Sequence, residues 1–146
     1  MQEYQGKDEV VFDMECDGFS ATKIHVVSSN NVTTGSERSF IKYEQMRSFL
    51  ENPDAVFIAH NSESFDKPTL ERVLGIKIQA TMVDTLGLSW YLYPTRQLHG
   101  LASWGEEFGV PKPEVEDWSD QPIEVYVNRC EEDVKINTAL WLKIKK

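Results

Sequence analysis

Apolar and polar positions alternate along Val10-Val11-Phe12-Asp13-Met14-Glu15 and stop at Asp17-Gly18. The alternation predicts a short strand that breaks into a turn. On that strand Val11, Asp13 and Glu15 share one face, and Phe12 and Met14 the other. Two more strands follow, Thr22-Lys23-Ile24-His25-Val26-Val27-Ser28 and a segment around Arg38-Ser39-Phe40-Ile41, joined by short turns as an antiparallel meander. The period then lengthens. Met46, Phe49 and Leu50 form the stripe of a helix over 43–50, ended by Asn52-Pro53-Asp54. Ala55-Val56-Phe57-Ile58-Ala59 is a continuous apolar run of strand length, the pattern of a strand buried on both faces. Helical patterns cover 63–74, stopped by Gly75, then 84–92 and 98–108, with a short strand over 80–83 before the second. From Pro122 one long helix runs on, with Ile123, Val127, Cys130, Val134, Trp141 and Ile144 at its period.

Meander, then strand–helix–strand–helix, then helices predicts an α/β fold: a mixed five-stranded sheet flanked by helices, in one domain over residues 1–146. Residues 1–8 read as a polar lead-in, and 111–121, with Pro111 and Pro113, as a loop that includes the solvated run Glu114-Val115-Glu116-Asp117.

Composition changes this picture little, but charge narrows the chemistry. The net charge of −9 argues against a broad basic surface for a phosphate backbone. It leaves room for a site where metal ions supply the positive charge. Two cysteines make no disulfide framework, and Cys16 and Cys130 read as packing residues. A reducing, cytoplasmic setting is expected. The N-terminus lacks the apolar core of a signal peptide, and no apolar run is long enough to span a membrane.

Two carboxylates one pleat apart on an apolar strand repel each other unless something positive lies between them. A divalent cation is one solution and an acidic face turned to water is the other. Asp66 and Asp133 both fall near the apolar side of their predicted helices, where they are either boundary residues or inward-facing acids. His25 is expected to be a structural or surface residue, and His99 to cap or pack against the helix that carries Trp104. Asp84 is expected to cap the helix it opens, with a place at the edge of a site open to it.

Asp13-Met14-Glu15 on a first strand, His60-Asn61-Ser62-Glu63-Ser64-Phe65-Asp66 after a buried strand, and Asp133-Val134 near the end together resemble the DEDD superfamily of 3′–5′ exonucleases. Asp84-Thr85-Leu86-Gly87-Leu88-Ser89, His99-Gly100-Leu101 with Ala102-Ser103-Trp104-Gly105, and Cys130-Glu131-Glu132-Asp133-Val134 narrow the likeness to the proofreading domain of family A DNA polymerases. The resemblance implies a ribonuclease-H-like fold and a hydrolase that releases nucleoside monophosphates from the 3′ end of single-stranded DNA. It implies two divalent ions, Mg²⁺ or Mn²⁺, held by Asp13, Glu15, Asp66 and Asp133. It also implies that Phe19 wedges against the terminal base, where the alternative is a core Phe at a turn. Asn61 would bond the terminal nucleotide, where the alternative is a helix N-cap. Phe65 would face the substrate or pack in the core. A monomer is expected, with a polymerase or another replication protein as candidate partner.

The chain departs from the family at one point. Where the family places a Tyr one turn before the last Asp, Arg129 stands here, and the nearest Tyr is Tyr126. Arg129 cannot serve as a base. Three readings follow: Arg129 stabilises charge in the transition state, Tyr126 reaches in from the next turn, or activity is weakened. In the last case the chain is a nucleic-acid- or nucleotide-binding module. A third class keeps the enzyme and changes the substrate to short RNA.

Overall fold

The structure is a computed structural model, and it describes residues 6–110 and 121–146. The predicted loop over 111–120 and the first five residues of the lead-in lie outside the described residues. Five strands, β1 (Asp8–Cys16), β2 (Ile24–Asn31), β3 (Glu37–Phe40), β4 (Ala55–Ala59) and β5 (Thr81–Asp84), form one sheet in the order β3-β2-β1-β4-β5. β1–β2 and β2–β3 pair antiparallel; β1–β4 and β4–β5 pair parallel. The mixed sheet is the one that the sequence pattern predicts. Its helices are α1 (Tyr43–Leu50), α2 (Lys67–Leu74), α3 (Thr85–Leu92), α4 (Leu101–Phe108) and α5 (Ile123–Ile144).

The period-2 pattern of β1 splits the core into two layers. Val10, Phe12, Met14 and Cys16 pack on one face of the sheet with Met46, Leu50, Leu70 and Leu74 of α1 and α2. Val11, Val56 and Ile58 pack on the other face with Trp104 of α4 and Ile136, Leu140 and Trp141 of α5. Asp13 and Glu15 continue the Val11 face, so they point to the α5 side of the sheet.

α5 runs opposite to β1, and a half-buried ion pair fixes its register. Glu9 is buried and accepts from Trp141 Nε1 at 2.9 Å and Lys145 Nζ at 2.6 Å. From Glu9 to Glu15 the strand advances about 20 Å. From Lys145 back to Arg129 the helix covers about 24 Å. The two advances match closely enough that Val11 shares a core layer with Ile136 and Leu140, and the next turns of α5 bring Asp133 to Asp13 and Arg129 to Glu15.

Two predicted boundaries move. The helix expected over 98–108 begins at Leu101: His99 is buried in the preceding segment, with Nε2 on Arg96 O at 2.9 Å, and Gly100 is extended. The helix expected over 63–74 opens instead with a wide π turn, Ser62–Asp66, closed by Lys67 N–H to Ser62 O. Side-chain periodicity does not distinguish one wide turn from an α turn, so the pattern missed it. Among the described residues no helix is long and apolar enough to cross a membrane.

Close packing of α4 on α5 gives a test of this frame. A Cβ at Gly105 would lie 2.4 Å from Val110 O and 2.8 Å from Ile136 Cδ1. Backbone and a buried Ile cannot both give way, so Gly105→Ala is expected to destabilise the protein by about 1–3 kcal/mol. Thermal melting of the variant, read as a fall of several degrees in Tm, checks it.

Candidate active site

The site lies where β4 runs out. The ladder between β1 and β4 ends at Val11↔Ile58, so Asp13 and Glu15 project past the carboxyl end of β4. Clefts beyond the carboxyl ends of parallel strands, at the point where connections diverge, are where α/β sheets place ligands. The chain leaving β4 passes through His60 and Asn61 into the π turn, whose last residue is Asp66. Single wide turns of this kind occur often at functional sites, because they re-aim one side chain without ending the helix.

Asp84 shapes that crossing. Its carboxylate accepts from Asn61 N at 2.8 Å, Glu63 N at 3.2 Å and Leu86 N at 2.9 Å. It therefore caps α3, as the sequence predicts, and also clamps the turn that carries Asp66. Asn61 is the one non-glycine residue with positive φ among the described residues, at 64°. Asn tolerates this left-handed conformation better than most residues. Its side chain makes no cap bond, so the N-cap reading of Asn61 does not hold: Asp84 takes those N–H groups instead. Behind the turn, His60 Nδ1 lies 2.9 Å from Thr85 Oγ1 and Nε2 lies 3.0 Å from His99 O, while Thr85 Oγ1 donates to Asn137 Oδ1 at 2.7 Å. A polar network thus ties β4, α3 and α5 together. Nothing in the spacing of Asp84, Thr85 and Asn137 announces it, because it exists only once β5 lies beside β4.

Asp13, Glu15, Asp66 and Asp133 are brought together. Burial pushes the Asp13 carboxyl well above its usual range, and the charges of Asp133, Asp66 and Glu15 and a hydrogen bond with Asp133 push it further. Asp66 is raised to about 7, by burial first and then by Asp84 and Asp133. Asp66, 5% exposed, leaves Oδ2 buried with no hydrogen-bond partner. A converging set of oxygen donors, mutually repelling and in part without hydrogen-bond partners, fits hard divalent cations such as Mg²⁺ or Mn²⁺.

Arg129 is in ion-pair range of this cluster. Its Nε lies 3.7 Å from Asp133 Oδ2 and 4.0 Å from Glu15 Oε1, longer than hydrogen bonds but close enough to offset charge. Tyr126 is buried and stacked flat on His25, ring centroids 3.9 Å apart, and its hydroxyl accepts from Gln121 N at 3.2 Å. His25 is accordingly a buried structural residue. Phe19 is 95% exposed beyond the end of β1, which removes the core alternative for it. Phe65 is half-buried, packs on the α1–α2 layer of the core, and meets the Phe19 ring edge to face at 6.2 Å.

No protein-family model matches the chain, and no curated protein matches it in sequence. Solved structures do match. Brucella melitensis NrnC bound to pGG superposes with a TM-score of 0.68 and 17% identity, covering 96% of this chain and 74% of that one. Exonuclease X in complex with 5′ overhanging duplex DNA gives 0.64 and 18%, covering 93% and 90%. The family B DNA polymerase of the archaeon Pyrobaculum calidifontis gives 0.69 and 16%, covering 94% of this chain and 24% of the polymerase. The chain has the ribonuclease-H-like fold of these proteins. The ribonuclease-H-like core is therefore reached here at an identity too low for sequence comparison to register, through the pattern of strands and acids described above.

Proposed function

We propose that this chain is a metal-dependent 3′–5′ exonuclease that hydrolyses the terminal phosphodiester of single-stranded DNA and releases nucleoside monophosphates. The observation that carries the proposal is the convergence of Asp13, Glu15, Asp66 and Asp133 past the end of β4, three of them buried and all on the α5 side of β1 or in the turn beside it. NrnC, of the same fold, is also known with bound Mg²⁺. Divalent ions held there would polarise the phosphate and lower the pKa of a water so that it could attack as hydroxide.

The protein residues do the rest. The four carboxylates would hold the cations. We assign Arg129 to the charge that grows on the phosphate in the transition state, a role for a permanent cation that cannot take a proton. Phe19 would offer its exposed ring to the terminal base, and Asn61, whose backbone N–H donates to Asp84, would bond the terminal nucleotide. Because Phe19 is almost fully exposed, Phe19→Ala should leave Tm unchanged. It should weaken binding of a short single strand by about 5- to 150-fold, the value of one stacked base. Fluorescence anisotropy with a labelled oligonucleotide measures this, and unaltered binding would remove Phe19 from the site.

A second reading draws on Arg129 as well: a binding module that keeps the fold and the acids without turnover. Incubation of the protein with a 5′-labelled DNA strand in Mn²⁺, beside an EDTA control and an RNA of equal sequence, separates the readings. A ladder shortening from the 3′ end, absent in EDTA, is the expected result, and the faster of the two substrates names the nucleic acid. Binding without any product in Mn²⁺ or Mg²⁺ would overturn the exonuclease reading.

A further inference from the structure

The acids at the end of β1 have a neighbour that the proposed reaction leaves unused. Cys130 is fully buried on α5, and its Sγ lies within 4.8 Å of one oxygen each of Asp13 and Glu15, which also lie that close to each other. One ion can draw in such a set, since zinc bonds of about 2.0–2.3 Å to oxygen and sulfur leave neighbouring donors roughly 3–4 Å apart. Asp66, whose charge is felt at Asp13, adds a buried Oδ2 that lacks a hydrogen-bond partner.

Ser28, the cross-strand partner of Asp13, is hydrogen-bonded to Cys130. Ser28 Oγ lies 2.7 Å from Ser39 Oγ, and Ser39 Oγ donates to Oε2 of the exposed Glu131 at 2.9 Å. Burial, then the charges of Asp13 and Glu15, push the Cys130 thiol well above its usual range, and hydrogen bonds from Ser28 act the other way. Cys16 is the internal contrast. It is buried on the opposite face of β1, and its Sγ donates to Gly18 O at 3.4 Å.

We propose that Asp13, Glu15 and Cys130 form a mixed carboxylate–thiolate site for a thiophilic divalent cation of the zinc class. The S–H bond breaks, a metal–sulfur bond forms, the proton is released to water, and no electron moves. Arg129, 3.7 Å from Asp133 and 4.0 Å from Glu15, offsets part of the negative charge around the cation. Mg²⁺ prefers oxygen and gains nothing from the sulfur. The same acids therefore offer hard and soft cations different ligand sets. The inference uses the carboxylates of the proposed function and does not depend on catalysis.

Titration of the metal-free protein with Cd²⁺, followed by ultraviolet absorption, tests it. A saturable thiolate-to-metal charge-transfer band at one equivalent is expected. Cys130→Ser should abolish the band and weaken Cd²⁺ binding by about 10- to 100-fold, the usual size of losing one supporting group at a metal site. The Cys16→Ser protein has Cys130 as its remaining thiol, so it should keep the band, and it carries the test if Cys130→Ser does not fold. No band in the wild type or in Cys16→Ser, or an unaltered band in Cys130→Ser, would overturn the inference. Mn²⁺-dependent cleavage without a Cd²⁺ band would remove this inference alone; a Cd²⁺ band without cleavage would remove the exonuclease reading alone.

Discussion

Asp13→Asn is expected to abolish metal-dependent cleavage and, in the same protein, to raise the melting temperature of the metal-free form. The two effects share one cause. Asp13 is the acid on which the others bear: Asp133, Asp66 and Glu15 each raise its pKa, and burial raises it more. Asn keeps the size and supplies an amide N–H that can donate to Asp133, but removes the charge. Repulsion in the empty cluster falls, and the folded state gains on the order of 1 kcal/mol for each pKa unit relieved. A hard anionic donor is lost at the same time. Cleavage should fall by at least about 10²–10³-fold, the loss seen when one electrostatic group is removed from a transition state.

Asp17→Asn is the matched control. That carboxylate accepts from Thr22 Oγ1 at 2.7 Å, Thr22 N at 2.9 Å and Lys23 N at 3.2 Å, and these bonds, Thr22 first, hold its pKa down at about 2. Its removal should lower Tm and retain metal-dependent cleavage, the opposite sign on both readouts. Differential scanning fluorimetry in EDTA and the 5′-labelled strand assay measure the pair. Wild-type cleavage by Asp13→Asn, or a lower melting temperature for its metal-free form, would exclude the carboxylate cluster as the seat of the activity.

Where the sequence was informative, it was so through period. The face shared by Val11, Asp13 and Glu15 was legible because a strand can bury its residues in only two ways. Asp133 was legible in part: the apolar stripe of α5 put it at a boundary, and the motif Asp133-Val134 in its order after the other acids, not the stripe, turned it inward. What stayed hidden depended on backbone details that side-chain period does not encode. The π turn that re-aims Asp66 is one such detail. The triple use of Asp84 is another, since its cap on α3 is local while its hold on Asn61 and Glu63 requires β5 to lie against β4. Arg129 and Tyr126 are one turn apart on the same helix, and the choice between them rested on a contact: Tyr126 has His25 to stack on, a pairing between β2 and α5 that spacing could not suggest. Cys130 read as packing because a thiol beside acids in sequence carries no meaning until Ser28 and Asp13 are seen as strand partners.

The metal-free protein should also lose stability as pH rises from about 4 to 7, and divalent cations should restore it. The sign follows from Asp66. Its folded pKa is raised from the ordinary value of 3.8 to about 7, so between those limits the folded state holds a proton that the unfolded chain has lost. Stability is then full below pH 4, falls through the window, and levels off above about 7. Asp13, raised for similar reasons, adds to the same slope. Roughly three pKa units at about 1.4 kcal/mol each set an upper figure of about 4 kcal/mol for Asp66. Asp66→Asn removes that share, so the wild type and the variant should melt alike near pH 4 and diverge toward pH 8, with the variant the more stable in EDTA. Mn²⁺ or Mg²⁺ reverses the order, because cations bind the ionised carboxylates of the folded state. At 100 times the dissociation constant they stabilise the wild type by about 2.7 kcal/mol, and at pH 5, where protons compete for the same oxygens, by much less. Melting curves in EDTA and in Mn²⁺ at pH 5, 6, 7 and 8 give both slopes. A wild-type curve in EDTA that rises with pH relative to Asp66→Asn, or a Mn²⁺ effect equal in the two proteins, would place the metal away from Asp66 and leave the repulsion in the cluster without the role assigned to it.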